Sequence, residues 1–412
     1  MSSAAPAPNF VPGHSVERAL AQHRRLPATD IWWTVNGPDM SWNNRNLQQL
    51  FPSVPVYRDG PVRELARAED PRIGSFRVIE AKANPTLDRF LASDDSTALG
   101  LVILHEGRVV YERYPRMQRH EKPIYWSVAK VFVGLLVRLL EEEGRIDVSA
   151  PIERYLPELK QSSLAGTPIR ALLDMANGLD CADDYEDWSS CYYRFSMAIG
   201  DGYRTADAPS DPYEFVRTAK IARVAPPGTV FSYSGLNTFV LSWLVERVTG
   251  MPFADAFSAR IWTHIGARAD AAYMAPFNGV PITPGGFYAR LTDLARFGLL
   301  YTDHWRQVSL APIVTSAHRE LLLRGGDPGL RANAGLPDAA TSGIQHNVYQ
   351  WDAVFTDGTL YKGGWAGQGL IVNPDADLVV VFAGYFKDAE GSETKLTPIV
   401  FRLIRALFLQ QR

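Results

Sequence analysis

Two cysteines in 412 residues are too few for a disulfide framework, and they read as free thiols in a reducing compartment. Charge of one sign is also missing. Forty-two basic residues against 45 acidic ones leave a net charge of −3, so no basic field exists to hold nucleic acid or an anionic membrane. Long apolar runs are absent too. The most apolar stretch, Val131 to Leu140, has about half the length that a bilayer requires. The first 25 residues show no basic segment followed by an apolar one, so the expectation is a cytoplasmic chain with no membrane partner. The eight histidines are scattered without metal-ligand spacing, and neither metal nor cofactor is expected. His346 reads as a surface or hydrogen-bonding residue. No Gly-x-Ser-x-Gly elbow occurs, which argues against an α/β-hydrolase. There is no internal repeat.

What remains is ordinary globular composition, 46% hydrophobic and 21% charged, at a length that suits an enzyme of two packed lobes. Turn signals such as Asn36-Gly37-Pro38, Asp59-Gly60-Pro61 and Asp70-Pro71 make residues 1–96 a loop-rich extension wrapping a core. Leu99 to His105 and Arg108 to Arg113, split by Glu106-Gly107, carry a β-hairpin signature. Val131 to Leu140 is apolar almost all round and stops near Gly144, as a buried helix does. Shorter helices are expected over Pro168 to Ala176 and Tyr213 to Lys220. Longer ones fit Tyr233 to Gly250 and Phe287 to Tyr301. Strands follow at Asn347 to Phe355, Thr359 to Lys362, Gly369 to Val372 and Leu378 to Gly384, then a helix from Pro398 to Leu409. The pattern describes an α+β fold, an antiparallel sheet flanked by helices. Residues 97–146 and 278–412 would form the sheet lobe and 147–277 a mainly helical lobe, with the active site between them.

Three segments carry chemistry. In Ser127-Val128-Ala129-Lys130 the serine and lysine share one helix face, so the amine can reach the hydroxyl. A lysine buried among Trp126, Val131, Phe132 and Val133 loses hydration, its pKa falls, and it becomes a usable base for a serine nucleophile. A second Ser-x-x-Lys, Ser392 to Lys395, follows a polar stretch and reads as a solvated loop. In Pro227 to Asn237 a tyrosine, Tyr233, stands where a loop turns into a helix; near a lysine cation its phenol would become more acidic and act as a general base. Tyr361-Lys362-Gly363-Gly364-Trp365 is a glycine-rich strand end that admits close approach of another backbone or a ligand. The tryptophans beside these motifs, Trp126, Trp188, Trp351 and Trp365, are candidates for the walls of an apolar pocket.

Taken in order, these motifs resemble those of the serine β-lactamase and penicillin-binding superfamily. More narrowly the chain is similar to its class C-like branch, which holds the family VIII carboxylesterases and the 6-aminohexanoate-dimer hydrolases. Leu173 to Leu179, Asp183-Asp-Tyr185, Glu246 to Gly250, Gly285 to Gly298, Tyr349-Gln-Trp351 and Gly364 to Gln368 support that branch, over roughly Thr97 to Leu409. The resemblance implies a hydrolase acting on a small ester or amide through an acyl-enzyme. Ser127 would be the nucleophile, Lys130 its activator and Tyr233 the base and later the acid. The N–H groups of Ser127 and Trp365 would form the oxyanion hole. Lys362, Gly364, Trp351 and Tyr185 would contact substrate, Tyr185 by closing over it. Two departures stand out. Gly363 replaces the threonine of the Lys-Thr-Gly triplet, and Tyr233-Ser-Gly235 replaces the Tyr-x-Asn of true class C β-lactamases. The second removes a donor for the β-lactam amide and sets β-lactam hydrolysis low. A non-catalytic binding member of the fold and a D-aminopeptidase-like enzyme are the other readings. Oligomeric state is left open, a homodimer included.

Overall fold

The computed structural model describes residues 17, 18, 21, 33, 35–276, 279–388 and 396–409. Apolar strands dictate its centre. β2 (Ala98–His105) is buried from Ala98 to Leu104 and β10 (Leu378–Gly384) along its whole length, as strands covered on both faces must be. They lie side by side, Leu101 opposite Phe382 and Ile103 opposite Val380. The sheet runs β3-β2-β10-β9-β8-β7-β6, every pair antiparallel. Its strands are β3 (Arg108–Arg113), β6 (Ile344–Val348), β7 (Trp351–Phe355), β8 (Leu360–Gly364) and β9 (Gln368–Asn373). A smaller sheet, β1 (Ser53–Val56), β4 (Ala271–Met274) and β5 (Phe287–Tyr288), is ordered β1-β4-β5.

Two apolar layers sandwich the large sheet. On one face Leu101, Ile103, Val380 and Phe382 meet Leu396, Ile399 and Leu403 of the C-terminal helix, together with Ile73, Leu87 and Phe90. On the other, Val102, Leu104, Val379 and Val381 join the larger core with helices α1 (Lys130–Glu142), α3 (Gly235–Thr249) and α4 (Leu291–Leu299). Helix α2 (Cys191–Ile199) lies in the mainly helical stretch between them in sequence. The fold is α+β, as the sequence implies. No helix among the described residues is long and apolar enough to cross a membrane.

Several expectations need correction. The segment before residue 96 is more than loop. It donates β1 to the small sheet and buries Met40, Trp42 and Leu47, in elements too short to show a period. Asn347 to Phe355 is two strands rather than one. They are split at Tyr349-Gln350, whose φ values of 44° and 71° make a tight hairpin turn without the usual Asn-Gly signal. The helix expected from Phe287 begins at Leu291, because Phe287 and Tyr288 pair with β4. Cys181 and Cys191 are not free thiols. They form a disulfide, with Cα atoms 5.1 Å apart, because the acidic loop between them doubles back. A disulfide belongs to oxidising surroundings, so the reading of these cysteines as free thiols in a reducing compartment falls. The second Ser-x-x-Lys, at Ser392 to Lys395, lies outside the described residues.

Candidate active site

A short turn, Trp126–Ala129, leads into α1 and carries Ser127. Trp126 adopts φ of 46°, a left-handed conformation costly for a tryptophan, immediately before the serine. One turn later Lys130 opens α1 and points back. Its Nζ donates to Ser127 Oγ at 3.0 Å and to the Pro284 carbonyl at 2.9 Å. Lys130 is only 1% exposed. Burial pushes it down to about 8, against the pull of Asp183. An amine with that acidity is partly neutral near physiological pH and sits within proton-transfer distance of a hydroxyl.

Tyr233 stands two residues before α3, with the Lys130 ammonium 5.0 Å and the Lys362 ammonium 4.7 Å from its ring centre. Lys362 Nζ donates to its hydroxyl at 2.9 Å, and Ser127 also hydrogen-bonds to it. The sequence reading expected these cations to make the phenol more acidic. The opposite holds: burial first, then the carboxylates of Asp352 and Asp183, push Tyr233 well above its ordinary value. Tyr233 is therefore a neutral phenol, suited to donate a proton, and Lys130, partly neutral near physiological pH, is the group able to accept one.

The strand end carrying Lys362 runs past the serine turn. A side chain at Gly364 would strike the Tyr125 carbonyl, so glycine there lets β8 close on the backbone leading to Ser127. Trp365 to Gly367 then reverse the chain into β9, Ala366 and Gly367 taking φ of 62° and 82°. Lys362 is fully buried, ion-paired with Asp352, and lies behind the pocket rather than on its wall. Burial lowers its pKa. Asp352 also accepts the Gly363 N–H at 3.0 Å.

Ser127, Lys130 and Tyr233 face a cavity of about 390 Å³. Trp33, Trp126, Trp365, Tyr185 and Tyr192 give it an aromatic wall, Gly364 borders it, and Asp183 and Asp201 add carboxylates. Trp33 meets Tyr185 at 4.7 Å and Trp365 at 4.6 Å between ring centres, edge to face. Its indole N–H donates to the Asp201 carbonyl at 2.9 Å. The Tyr185 hydroxyl donates to Asp201 Oδ2 at 3.0 Å, while burial pushes Asp201 up to about 7.

Two of the expected wall residues are elsewhere. Trp351 is buried edge-on against Tyr301 at 5.4 Å, off the cavity. Trp188 is exposed and stacks on Tyr193. His346 is buried, bonded to the Leu322 carbonyl, and also lies off the cavity. Conversely, Trp33, Tyr192, Asp201 and Asp352 were not marked by any local sequence pattern. Among the described residues no group of three or more His, Cys, Asp or Glu side chains could hold a metal ion.

An α+β fold, its antiparallel sheet covered by helices on both faces, with a serine–lysine pair at the head of a buried helix defines the class. The chain belongs to the Beta-lactamase family, whose profile matches residues 84–384. It is 28% identical over 369 residues to the 6-aminohexanoate-dimer hydrolase of Paenarthrobacter ureafaciens, covering 88% of this chain and 89% of that one. It is also 28% identical over 206 residues to Esterase EstB of Burkholderia gladioli, covering 46% of this chain and half of that one. Among solved structures, a Bacillus anthracis protein named as a candidate 6-aminohexanoate-dimer hydrolase superposes with a TM-score of 0.78 at 22% identity. That match covers 93% of this chain and 96% of the other, and it shows the shared fold.

Proposed function

We propose that this protein is a serine hydrolase that cleaves small carboxylic esters or linear amides through an acyl-enzyme on Ser127. The observation that carries the reading is the 3.0 Å contact between Ser127 and a buried Lys130 held near pKa 8. Neutral Lys130 takes the hydroxyl proton as Ser127 Oγ attacks the carbonyl carbon. The N–H groups of Ser127 and Trp365 receive the charge on the tetrahedral oxygen. Tyr233 gives its proton to the departing alkoxide or amine and recovers one through the lysines on either side of it. Water, deprotonated by the same groups, then cleaves the acyl-enzyme and restores Ser127. The aromatic wall and the modest cavity volume suit a small acyl group with apolar surface. The names of the relatives, an amide hydrolase and an esterase, support this substrate range.

β-Lactam hydrolysis is disfavoured on geometry. At Gly235, where class C enzymes carry asparagine, a Cβ would lie 2.5 Å from the Tyr192 hydroxyl, so Tyr192 fills that space.

The test is a panel of p-nitrophenyl acetate and butyrate, the linear 6-aminohexanoate dimer and nitrocefin, on wild type and Ser127→Ala. Serine-dependent cleavage of an ester or of the amide is expected. Cleavage of nitrocefin alone would redirect the reading to a β-lactamase. No turnover, with no fluorophosphonate adduct on Ser127, would favour a non-catalytic binding protein.

A further inference from the structure

We propose that Asp183 is a positioning residue for this site: it seats the turn that carries Tyr233 and sets its negative charge against the Lys130 ammonium. The inference rests on the serine-hydrolase reading and extends it to a residue outside the nucleophile, the base and the acid.

The seating is visible in three hydrogen bonds between two loops far apart in sequence. The Asp183 N–H donates to the Tyr233 carbonyl at 3.0 Å. Asp183 Oδ1 accepts the Gly235 N–H at 2.6 Å. Ser234 Oγ donates to the Cys181 carbonyl at 2.5 Å. The Gly235 N–H opens α3 and has no partner within its own helix. Ser234 precedes it but supplies no side-chain cap, because its hydroxyl is turned to Cys181. The carboxylate of Asp183 therefore does the capping from a distant loop. Tyr233 has little freedom to shift while the two peptides that follow it, on either side of Ser234, are tied to Asp183.

The charge acts on a second group. Asp183 lines the cavity together with Ser127, Lys130 and Tyr233. The groups that face Lys130 are Asp183, Asp352 and Asp201, which favour its cation, and Lys362, which opposes it; the Tyr233 ring adds its π face. Asp183 is foremost among them, and Asp352 is already engaged with Lys362. The same neighbours keep Asp183 from rising further: burial raises it, while Lys130, the Gly235 N–H, Lys362 and the Tyr192 hydroxyl hold it down. Without Asp183, Lys130 would sit in an apolar pocket beside a second ammonium and hold its proton less tightly.

The two roles separate cleanly by substitution. Asp183→Asn keeps an oxygen acceptor for the Gly235 N–H and removes the charge. Asp183→Ala removes both. The readouts are kcat/KM for p-nitrophenyl acetate against pH, and the titration of the Lys130 side chain by ¹³C NMR, its signal assigned with Lys130→Met. Asp183→Asn should fold like wild type and move both the acid limb and the NMR midpoint down by roughly one pH unit. With the linear 6-aminohexanoate dimer as substrate, whose amine leaving group needs the proton, Asp183→Ala should add a fall in kcat of about tenfold or more, the loss that misplacing a proton donor brings. An unmoved midpoint in Asp183→Asn would overturn the charge role. Wild-type kcat in Asp183→Ala would overturn the seating role. Should wild type itself show no turnover, the NMR midpoint still reports on Asp183, and only the hydrolase reading fails.

Discussion

Lys130 Nζ bridges Ser127 Oγ, at 3.0 Å, and the Pro284 carbonyl, at 2.9 Å. A carbonyl opposite the serine fixes the amine in place, so the helix spacing of the two residues becomes a defined contact rather than one rotamer among several. Asp183 and Asp352 are the anions nearest in effect, and neither makes a direct ion pair with Lys130.

The acidity of Lys130 has a signed consequence. Folded Lys130 titrates near 8 and the unfolded residue near its ordinary 10.5. Between those values the unfolded chain holds a proton that the folded chain has released, so stability rises with pH there, and the full penalty applies below 8. Lys130→Met should therefore have a higher Tm than wild type at pH 7, with the gap narrowing in alkali, and should lose turnover. In wild type, kcat/KM should climb as pH approaches 8 and then level. Calorimetry and a pH–rate profile check both; a Tm for Lys130→Met below wild type at pH 7 would contradict the argument.

Tyr233 is assigned as a proton donor, and leaving groups differ in how much they need one. p-Nitrophenolate departs without help, whereas an amine must be protonated. Tyr233→Phe should slow cleavage of a linear amide by ~100-fold or more, the usual range for a lost general acid. Acylation by p-nitrophenyl acetate, read as a burst, should fall much less. Equal losses on both substrates would make Tyr233 a base or a structural residue instead.

The Cys181–Cys191 bond closes a short loop that holds Asp183 and Tyr185 at the cavity. Cross-linking a loop of this length contributes roughly 2–3 kcal/mol by restricting the unfolded chain. Cys181→Ser should lower Tm by several degrees and raise KM more than it lowers kcat, because the pocket wall loosens while Ser127 and Lys130 stay at the head of α1. Thiol titration of the unreduced, denatured protein should find no free thiol. Two titratable thiols would show the bond is not made.

Much of the site was legible because local rules govern it. Ser127 and Lys130 are set by helical spacing, and Gly364 by the need for close backbone approach. Tyr233 was placed correctly at a loop-to-helix junction, yet its acidity was read with the wrong sign. That sign depends on how burial and two carboxylates compare with two ammonium groups, which spacing does not reveal. Trp33 reaches the pocket from a segment without periodicity, held by a hydrogen bond to Asp201 across 168 residues. Asp352 became visible only once β7 and β8 were seen to pair, Ala353 against Tyr361. The β6–β7 turn escaped because Tyr349 and Gln350 take left-handed conformations that favour glycine or asparagine. In the fold, long apolar strands and helices were found in place, and errors gathered at short elements and at element ends.

The order of the large sheet also bears on how the chain is made. β10 lies between β2 and β9, so the two halves of the sheet are joined by the strand that follows all the others in the chain among the described residues. Until it is made, β2 presents an open and mostly apolar edge, the kind of surface that pairs with other chains. A nascent chain stalled before Leu378 would have Ser127, Lys130 and Tyr233 already synthesised and the two halves of the sheet still unjoined.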